Sequence, residues 1–250
     1  MSRYYCDLHI HSCLSPCGDR DMTPGNIAGM AMLNRLNIVA LTDHNSCANC
    51  PAFFKQAKAL GLIPVAGMEL TTAEDVHVVC LFRTLEDAMA FGRFVEEHRP
   101  AIANRPEIFG EQILIGEDDE PTGEYPTLLI HASDLSLEDA YREVNARGGV
   151  CYPAHIDRPS NGIVETLGGF PDEPPYTAYE LKEGGRDAEL RARFPALDRL
   201  VRVVSSDAHS LGDIAEANFS LEIDDEPYSS DLVRGRLIDL LSGKETGRNG

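Results

Sequence analysis

Apolar positions along this chain fall into two rhythms. Short runs rich in Val, Ile, Leu and Tyr, bounded by turn-forming residues, alternate with longer stretches in which apolar side chains recur at i, i+3 and i+4. The first rhythm predicts strands and the second predicts amphipathic helices. Seven strand runs can be read: "YYCDLHI" (4–10), "NIVALTD" (37–43), "LIPVAGM" (62–68), "VHVVCLF" (76–82), "GVCYPAH" (149–155), "TAYELK" (177–182) and "VRVVSSD" (201–207). Between them, "TPGNIAGMAMLNRL" opens with Thr23 as a cap and Pro24 at the first helical position, and "PAFFKQAKALG" ends on Gly61, where a C-terminal cap belongs. "TLEDAMAFGRFVEEH" and "LSLEDAYREVNARGG" each combine a capping residue, an acidic first turn and an apolar stripe. Strand and helix alternating in this way predict an α/β fold, a parallel sheet with crossover helices.

One segment breaks the rhythm. Between about residues 99 and 133, "EQILIGEDDEPTGEYPTLLIHAS" places two short apolar runs around an acidic turn containing Gly and Pro, which predicts an inserted β-hairpin. The closing "GKETGRNG" has no apolar pattern and is expected to fray.

With 250 residues, 43% of them hydrophobic, the chain can bury one substantial core, and a single barrel domain over 1–250 fits that length. Acidic residues outnumber basic ones 41 to 22, a net charge of −19. A field of that sign repels phosphate backbones over roughly 8–10 Å, so the expectation is a partner other than an extended nucleic acid or an anionic membrane. No apolar run is long enough to span a bilayer, and a strand run begins almost at once, so a soluble, cytoplasmic protein is expected. Seven cysteines, an odd number, favour reduced thiols over a disulfide framework. Cys6, Cys80 and Cys151 lie in apolar runs and read as core.

The chemistry gathers at the strand ends. Asp7, His9 and His11 occupy alternate positions of the first run, and Asp207 and His209 repeat the spacing at the last. His44 ends the second run, Glu69 follows the third, and His155 ends the fifth, whereas His77 comes early in the fourth. In parallel barrels the C-terminal strand ends form the active-site mouth, and imidazole with carboxylate suits Zn, Mn or Fe. A lone histidine at such a position is most simply a hydrogen-bonded rim residue. Six of eight histidines on five strand runs point instead to a metal site. His98, at a helix end, reads as a surface residue, and His131 sits in the insertion.

The ordered set "DLHIHS", "TDH", "GMEL", "HVV", "PAH" and "SDAHS" runs through nearly the whole chain and resembles the PHP (polymerase and histidinol phosphatase) family of metal-dependent phosphoesterases. The resemblance implies a distorted (β/α)7 barrel, with two or three divalent ions (Zn, Mn or Fe) in its mouth. It implies nine ligand positions: His9, His11, Asp19, His44, Glu69, His77, His155, Asp207 and His209. One ion would take His9, His11, Glu69 and Asp207, and a second would share Glu69 and add His77 and His155. A third would take Asp19, His44 and His209. Asp7 and Asp43 are expected behind the ligands, as acids that orient neighbouring imidazoles.

Such ions lower the pKa of a bridging water toward ~7, and the resulting hydroxide attacks a phosphate ester while the same ions neutralise its oxygens. The expected substrate is a small phosphorylated molecule. Arg158 is placed to hold its phosphate or to pair with an acid such as Asp157 or Glu180, and Lys182 is a candidate of the same kind. Within the family, a nucleoside bisphosphate phosphatase, a 5′-to-3′ exonuclease on short oligonucleotides and a histidinol phosphatase are the alternatives. A metal-stabilised binding module without turnover is an alternative of another class. Cys13, Cys17, Cys47 and Cys50 fall in two loops that neighbouring strands bring together, where they would form a separate zinc or redox site or remain reduced thiols.

Overall fold

The computed structural model describes residues 1–244; the expectation of a frayed tail falls largely on 245–250, outside the described residues. In chain order the strands are β1 (Ser2–Asp7), β2 (Ile38–Leu41), β3 (Ile63–Thr71), β4 (His77–Phe82), β5 (Ile113–Ile115), β6 (Pro121–Glu124), β7 (Val150–Pro153), β8 (Ala178–Leu181), β9 (Val201–Val204) and β10 (Ser220–Ile223). The α-helices are α1 (Pro24–Leu33), α2 (Cys50–Ala59), α3 (Leu85–Glu97), α4 (Pro106–Phe109), α5 (Leu137–Ala146), α6 (Ile163–Leu167), α7 (Asp187–Arg193) and α8 (Ser230–Leu241). The expected caps are made. Thr23 and Thr84 accept from backbone N–H groups of the first turns of α1 and α3, Ser136 and Asp139 form a reciprocal capping box on α5, and Gly61 takes a left-handed φ of +77° after α2.

Six strands form one curled sheet in the order β10-β1-β2-β3-β4-β7, and β8 pairs in parallel with β9. The curl closes through backbone contacts past the strand ends. Ile156 N–H donates to the Glu180 carbonyl at 2.9 Å, and His11 N–H donates to the Ala208 carbonyl at 2.9 Å. The result is a distorted α/β barrel whose wall contains all seven expected strands, with β10 added antiparallel outside β1.

The sheet is not uniformly parallel. β4 runs antiparallel to both β3 and β7, because only residues 72–76 connect β3 to β4. A parallel crossover needs a dozen residues or more, so the chain turns straight back. This inversion explains the position of His77: the N-terminal end of β4 lies at the same mouth as the C-terminal ends of its neighbours, with His77 paired opposite Thr71.

Alternate strand residues build two apolar layers. Cys6, Leu8, Ala40, Val65, Val79 and Tyr152 fill the inside, together with Val233, Leu237 and Leu241 of α8. Val39, Met68, Cys80 and Tyr179 face outward onto Ile27, Phe53, Phe91 and Val144 of the helices. Helix α8, not read from the sequence any more than β10 was, seals the end opposite the mouth: Arg83 donates to the Gly235 carbonyl, and Thr177 Oγ1 donates to that of Leu241. Filling the barrel from below leaves the mouth as its polar end.

The insertion contains the expected hairpin, β5 and β6, and also the short α4. It lies along the loops after β1 and β2. Ile113 N–H donates to the Cys13 carbonyl at 2.8 Å, Asn49 bonds to both Ile113 and Ile115, and Asn45 Nδ2 donates to the Leu129 carbonyl at 2.6 Å. Gly110 has φ +102°, and a Cβ there would stand 2.0 Å from the Pro16 carbonyl oxygen, so only glycine permits this approach.

Candidate metal centre

The regular pairing of β1 ends at Asp7, and the facing of the chain slips just beyond it. Leu8 belongs to the inner layer but Ile10 to the outer one, so simple alternation fails between them and His9 and His11 both turn into the mouth. Asp7 is left on the other side. Its carboxylate accepts the backbone N–H groups of Ser206 (3.1 Å) and Ala215 (3.0 Å) and touches no imidazole, which corrects the role expected for it.

Glu69, near the end of the long buried β3, is the hub. Its Oε1 lies 2.8 Å from His77 Nδ1, 2.9 Å from His155 Nε2 and 3.4 Å from His9 Nε2. Its Oε2 lies 3.0 Å from His44 Nδ1 and 3.3 Å from His11 Nε2. Asp207 Oδ1 faces His9 and His11 Nε2 at 3.6 and 3.3 Å, and those two nitrogens stand 3.1 Å apart. Three sets of donor atoms lie mutually within 4.8 Å: His9, His11, Glu69 and Asp207; His44, Glu69 and His77; and His11, His44 and His209. His155 reaches the cluster through Glu69. Asp19 does not join these sets: its side chain is exposed, and its backbone N–H bonds to the His209 carbonyl at 2.8 Å.

These residues fit a metal. One carboxylate cannot satisfy five imidazoles by hydrogen bonding, and buried His44 Nδ1, His155 Nδ1 and Asp207 Oδ1 have no well-formed hydrogen bond. Such a convergence of lone pairs is stabilised by cations. Without a cation the pocket draws protons instead. Burial depresses the histidines, but Glu180, Glu69 and Asp207 outweigh it at His9, which is raised well above the usual imidazole value. The same contest pushes His11 and His44 up to about 9. Burial wins at His77, which is lowered, and at His209, which falls to about 3 beside His11. Burial would raise Glu69, yet His77, His9 and His44 hold it well below the usual carboxylate range. Asp207 is likewise lowered, against burial, first of all by His9.

Backbone strain accompanies the donors. Asn45, His155 and Asp207, each just past a barrel strand, have φ of 49°, 29° and 51°. Left-handed backbone at non-glycine residues costs about 1–3 kcal/mol and persists where surrounding contacts enforce it, as at functional sites.

Support for the imidazoles comes largely from residues with no metal-site signature. His9 Nδ1 meets Glu180 Oε1 at 2.8 Å. His11 Nδ1 meets Ser15 Oγ at 3.0 Å; Ser15 in turn donates to Asp43 at 2.7 Å, and Asp43 also takes the N–H and hydroxyl of Ser12. Asp43 therefore acts on His11 only through Ser15. The signal for Glu180 is its acid between the apolar residues of "AYEL", where strand alternation turns it inward. Arg158 pairs with neither Asp157 nor Glu180. Its Nη1 lies 2.6 Å from Asp207 Oδ2, and Lys182 Nζ lies 3.7 Å from the same oxygen, with both cations partly exposed at the mouth.

The four loop cysteines do not assemble. Cys13 packs with Ala52 and Ile115 under the insertion, its thiol pushed up to about 12 by burial and Asp43. Cys47 and Cys50 both lie against the Gly67 carbonyl in the outer layer, and Cys17 is exposed. His98 pairs with Asp134 and packs at a tilt against the Phe94 ring, and His131 is exposed on the insertion.

The barrel and its mouth define a class, α/β barrels with a cluster of histidines and carboxylates that could hold metal ions. The chain belongs to the PHP domain family, whose model matches residues 7–158. No curated protein matches it in sequence. Among solved structures it is similar to the lesion-specific endonuclease Q of Pyrococcus furiosus (TM-score 0.67, 18% identity, 99% of this chain) and to endonuclease Q in complex with a 27-mer duplex with an abasic lesion at the active site (0.62, 18%, 99%). The chain spans 57% and 58% of those proteins. It is also similar to an amidohydrolase from Chromobacterium violaceum with bound sulfate (0.53, 20%, 88% of this chain and 92% of that one). The duplex in the second of these structures corrects the expectation of a small phosphorylated partner without extended nucleic-acid binding. Net charge summed over a chain does not fix the potential inside one cleft. No helix among the described residues is long and apolar enough to cross a membrane.

Proposed function

We propose that the centre hydrolyses a phosphodiester in a nucleic-acid strand. The observation that carries this reading is Asp207: one oxygen belongs to the donor set, while the other holds Arg158 and Lys182 at the mouth. His9, His11, Glu69 and Asp207 would hold one divalent ion, and Glu69, His77 and His155 a second. His44 and His209 lie beside a third position; Zn, Mn and Fe all suit these donors. When bound, such ions acidify a coordinated water and neutralise phosphate oxygens.

The chain's own residues supply the rest. Glu180 and Ser15 hold the rings of His9 and His11, so the donors are set before substrate arrives. A guanidinium and an ammonium beside Asp207 match the non-bridging oxygens of a phosphodiester. Similarity to endonuclease Q favours a strand as the owner of that phosphodiester.

The test is a metal-reconstituted assay on labelled single strands, intact duplexes and duplexes with an abasic site, beside p-nitrophenyl phosphate. Strand cleavage that falls by more than about 10³-fold in His9→Ala and Glu69→Gln is expected, as for loss of an essential electrostatic group. Turnover of the monoester with every strand left intact would overturn the nucleic-acid reading. Bound metal with no turnover of any ester would overturn the phosphoesterase reading for this chain.

A further inference from the structure

Glu180 is a buried acid that, like Asp7 and Asp43, stands outside the donor sets. It is 1% exposed, on the inward face of β8. Its Oε1 lies 2.8 Å from His9 Nδ1 and accepts the backbone N–H of His155 at 3.2 Å. Its Oε2 has no hydrogen-bond partner among the described residues. Neither have the buried hydroxyls of Tyr152 on β7 and Ser205 just past β9, the strands on either side of it. Burial and then the Glu180 carboxylate push the Tyr152 hydroxyl up, so the acid bears on that hydroxyl.

The geometry constrains a proton. A neutral imidazole carries one N–H, and the nitrogen that binds a cation must be the other one. His9 Nε2 faces Glu69, Asp207 and His11 Nε2, so it can serve a cation only with its proton on Nδ1, where Glu180 Oε1 is the acceptor. We infer that Glu180 is a positioning residue: it fixes His9 in the Nδ1–H form with Nε2 turned to the metal, and the same oxygen ties that ring to the backbone of His155. One carboxylate thus links a donor of the first proposed ion to a donor of the second. The backbone of His155 is held at φ 29°, and this contact is one of those that enforce it.

The inference rests on the reading of His9 as a metal ligand, and the test separates the two. Zinc is titrated into wild type, Glu180→Gln and Glu180→Met by competition with a chromophoric chelator. In the zinc-loaded proteins, the His9 ring N–H is followed by histidine-selective ¹⁵N NMR and identified by its loss in His9→Asn. Removing the acceptor in Glu180→Met should weaken zinc by about 10–100-fold, while Glu180→Gln, which keeps a neutral acceptor, loses less than about tenfold. The ring proton should be strongly deshielded in wild type and move upfield in Glu180→Gln. A purely structural role would lower thermal stability without moving that resonance. Zinc affinities within about twofold of wild type in both variants, or an unmoved resonance in Glu180→Gln, would overturn the inference. If Glu180→Met does not fold, the Gln variant decides. A wild type that binds no zinc would overturn the metal reading of His9 and this inference with it.

Discussion

Arg158 and Lys182 carry the residue-scale argument for substrate. Both contact the Asp207 oxygen that is not in the donor set, and both are partly exposed at the mouth. A hydrogen bond to a charged group contributes about 1.5–3 kcal/mol, so Arg158→Met should raise KM by about 10–100-fold. Zinc affinity should change much less. Steady-state kinetics beside the chelator titration checks this, and an unchanged KM would show that Arg158 serves only to hold Asp207. Ser15 offers a related prediction. Ser15→Ala leaves Asp43 and His11 without their shared hydroxyl, which should lower metal affinity measurably while the barrel remains folded, as read by circular dichroism and zinc competition.

At the scale of elements, the insertion is fastened by its own acidic turn. Asp119 accepts from Thr23 Oγ1 at 2.9 Å and from Gly25 N–H at 2.7 Å, so a residue of the hairpin caps a helix of the barrel. Asp119→Ala should cost about 1 kcal/mol of global stability. It should also speed hydrogen exchange along β5 and β6, with little change along β3. A second tether joins α7 to β8 and β9, where Asp187 contacts Tyr179, Arg191 and Arg202. Burial would raise this carboxyl, but Tyr179 and the arginines lower it below 3.8. A depressed folded-state pKa gives stability that is present above the unfolded value and is lost as pH falls through the folded one. The stability gap between wild type and Asp187→Asn should therefore be constant above about pH 5 and narrow progressively as pH falls below about 4, as read by denaturant midpoints. A gap that does not narrow on acidification would count against the ion pairs.

For the whole molecule, the excess of 19 negative charges bears on how a strand could bind. Each phosphate neutralised on a strand contributes about −0.7 to −0.9 to the slope of log affinity against log salt. With two cations at the mouth, a slope between about −1 and −2 is expected. A slope steeper than about −5 would show that a strand contacts many more cations than Arg158 and Lys182.

The seven wall strands, the main helices with their caps and the place of the insertion were legible in the sequence, because apolar periodicity and capping chemistry are local. Most side chains that meet at the mouth were legible too, since six histidines at strand ends share no simpler explanation, whereas Asp19 stands outside the cluster. Facing was the harder matter. Asp7 shares its spacing with His9 and His11, yet the slip beyond β1 turns it to the Ser206 and Ala215 amides. His77 looked misplaced until the short 72–76 connection inverted β4. Glu180 and Ser15 are common residue types whose role depends on which ring stands opposite, and Arg158 found Asp207, 49 residues away, in place of a neighbour. By itself the sequence determined which side chains this protein has that could hold a metal and which segments carry them, because residue chemistry and periodicity are properties of the chain. Only the tertiary structure decided which of them meet. Strand direction, a one-residue slip and the closure of the barrel set the distances over which imidazole, carboxylate and guanidinium act.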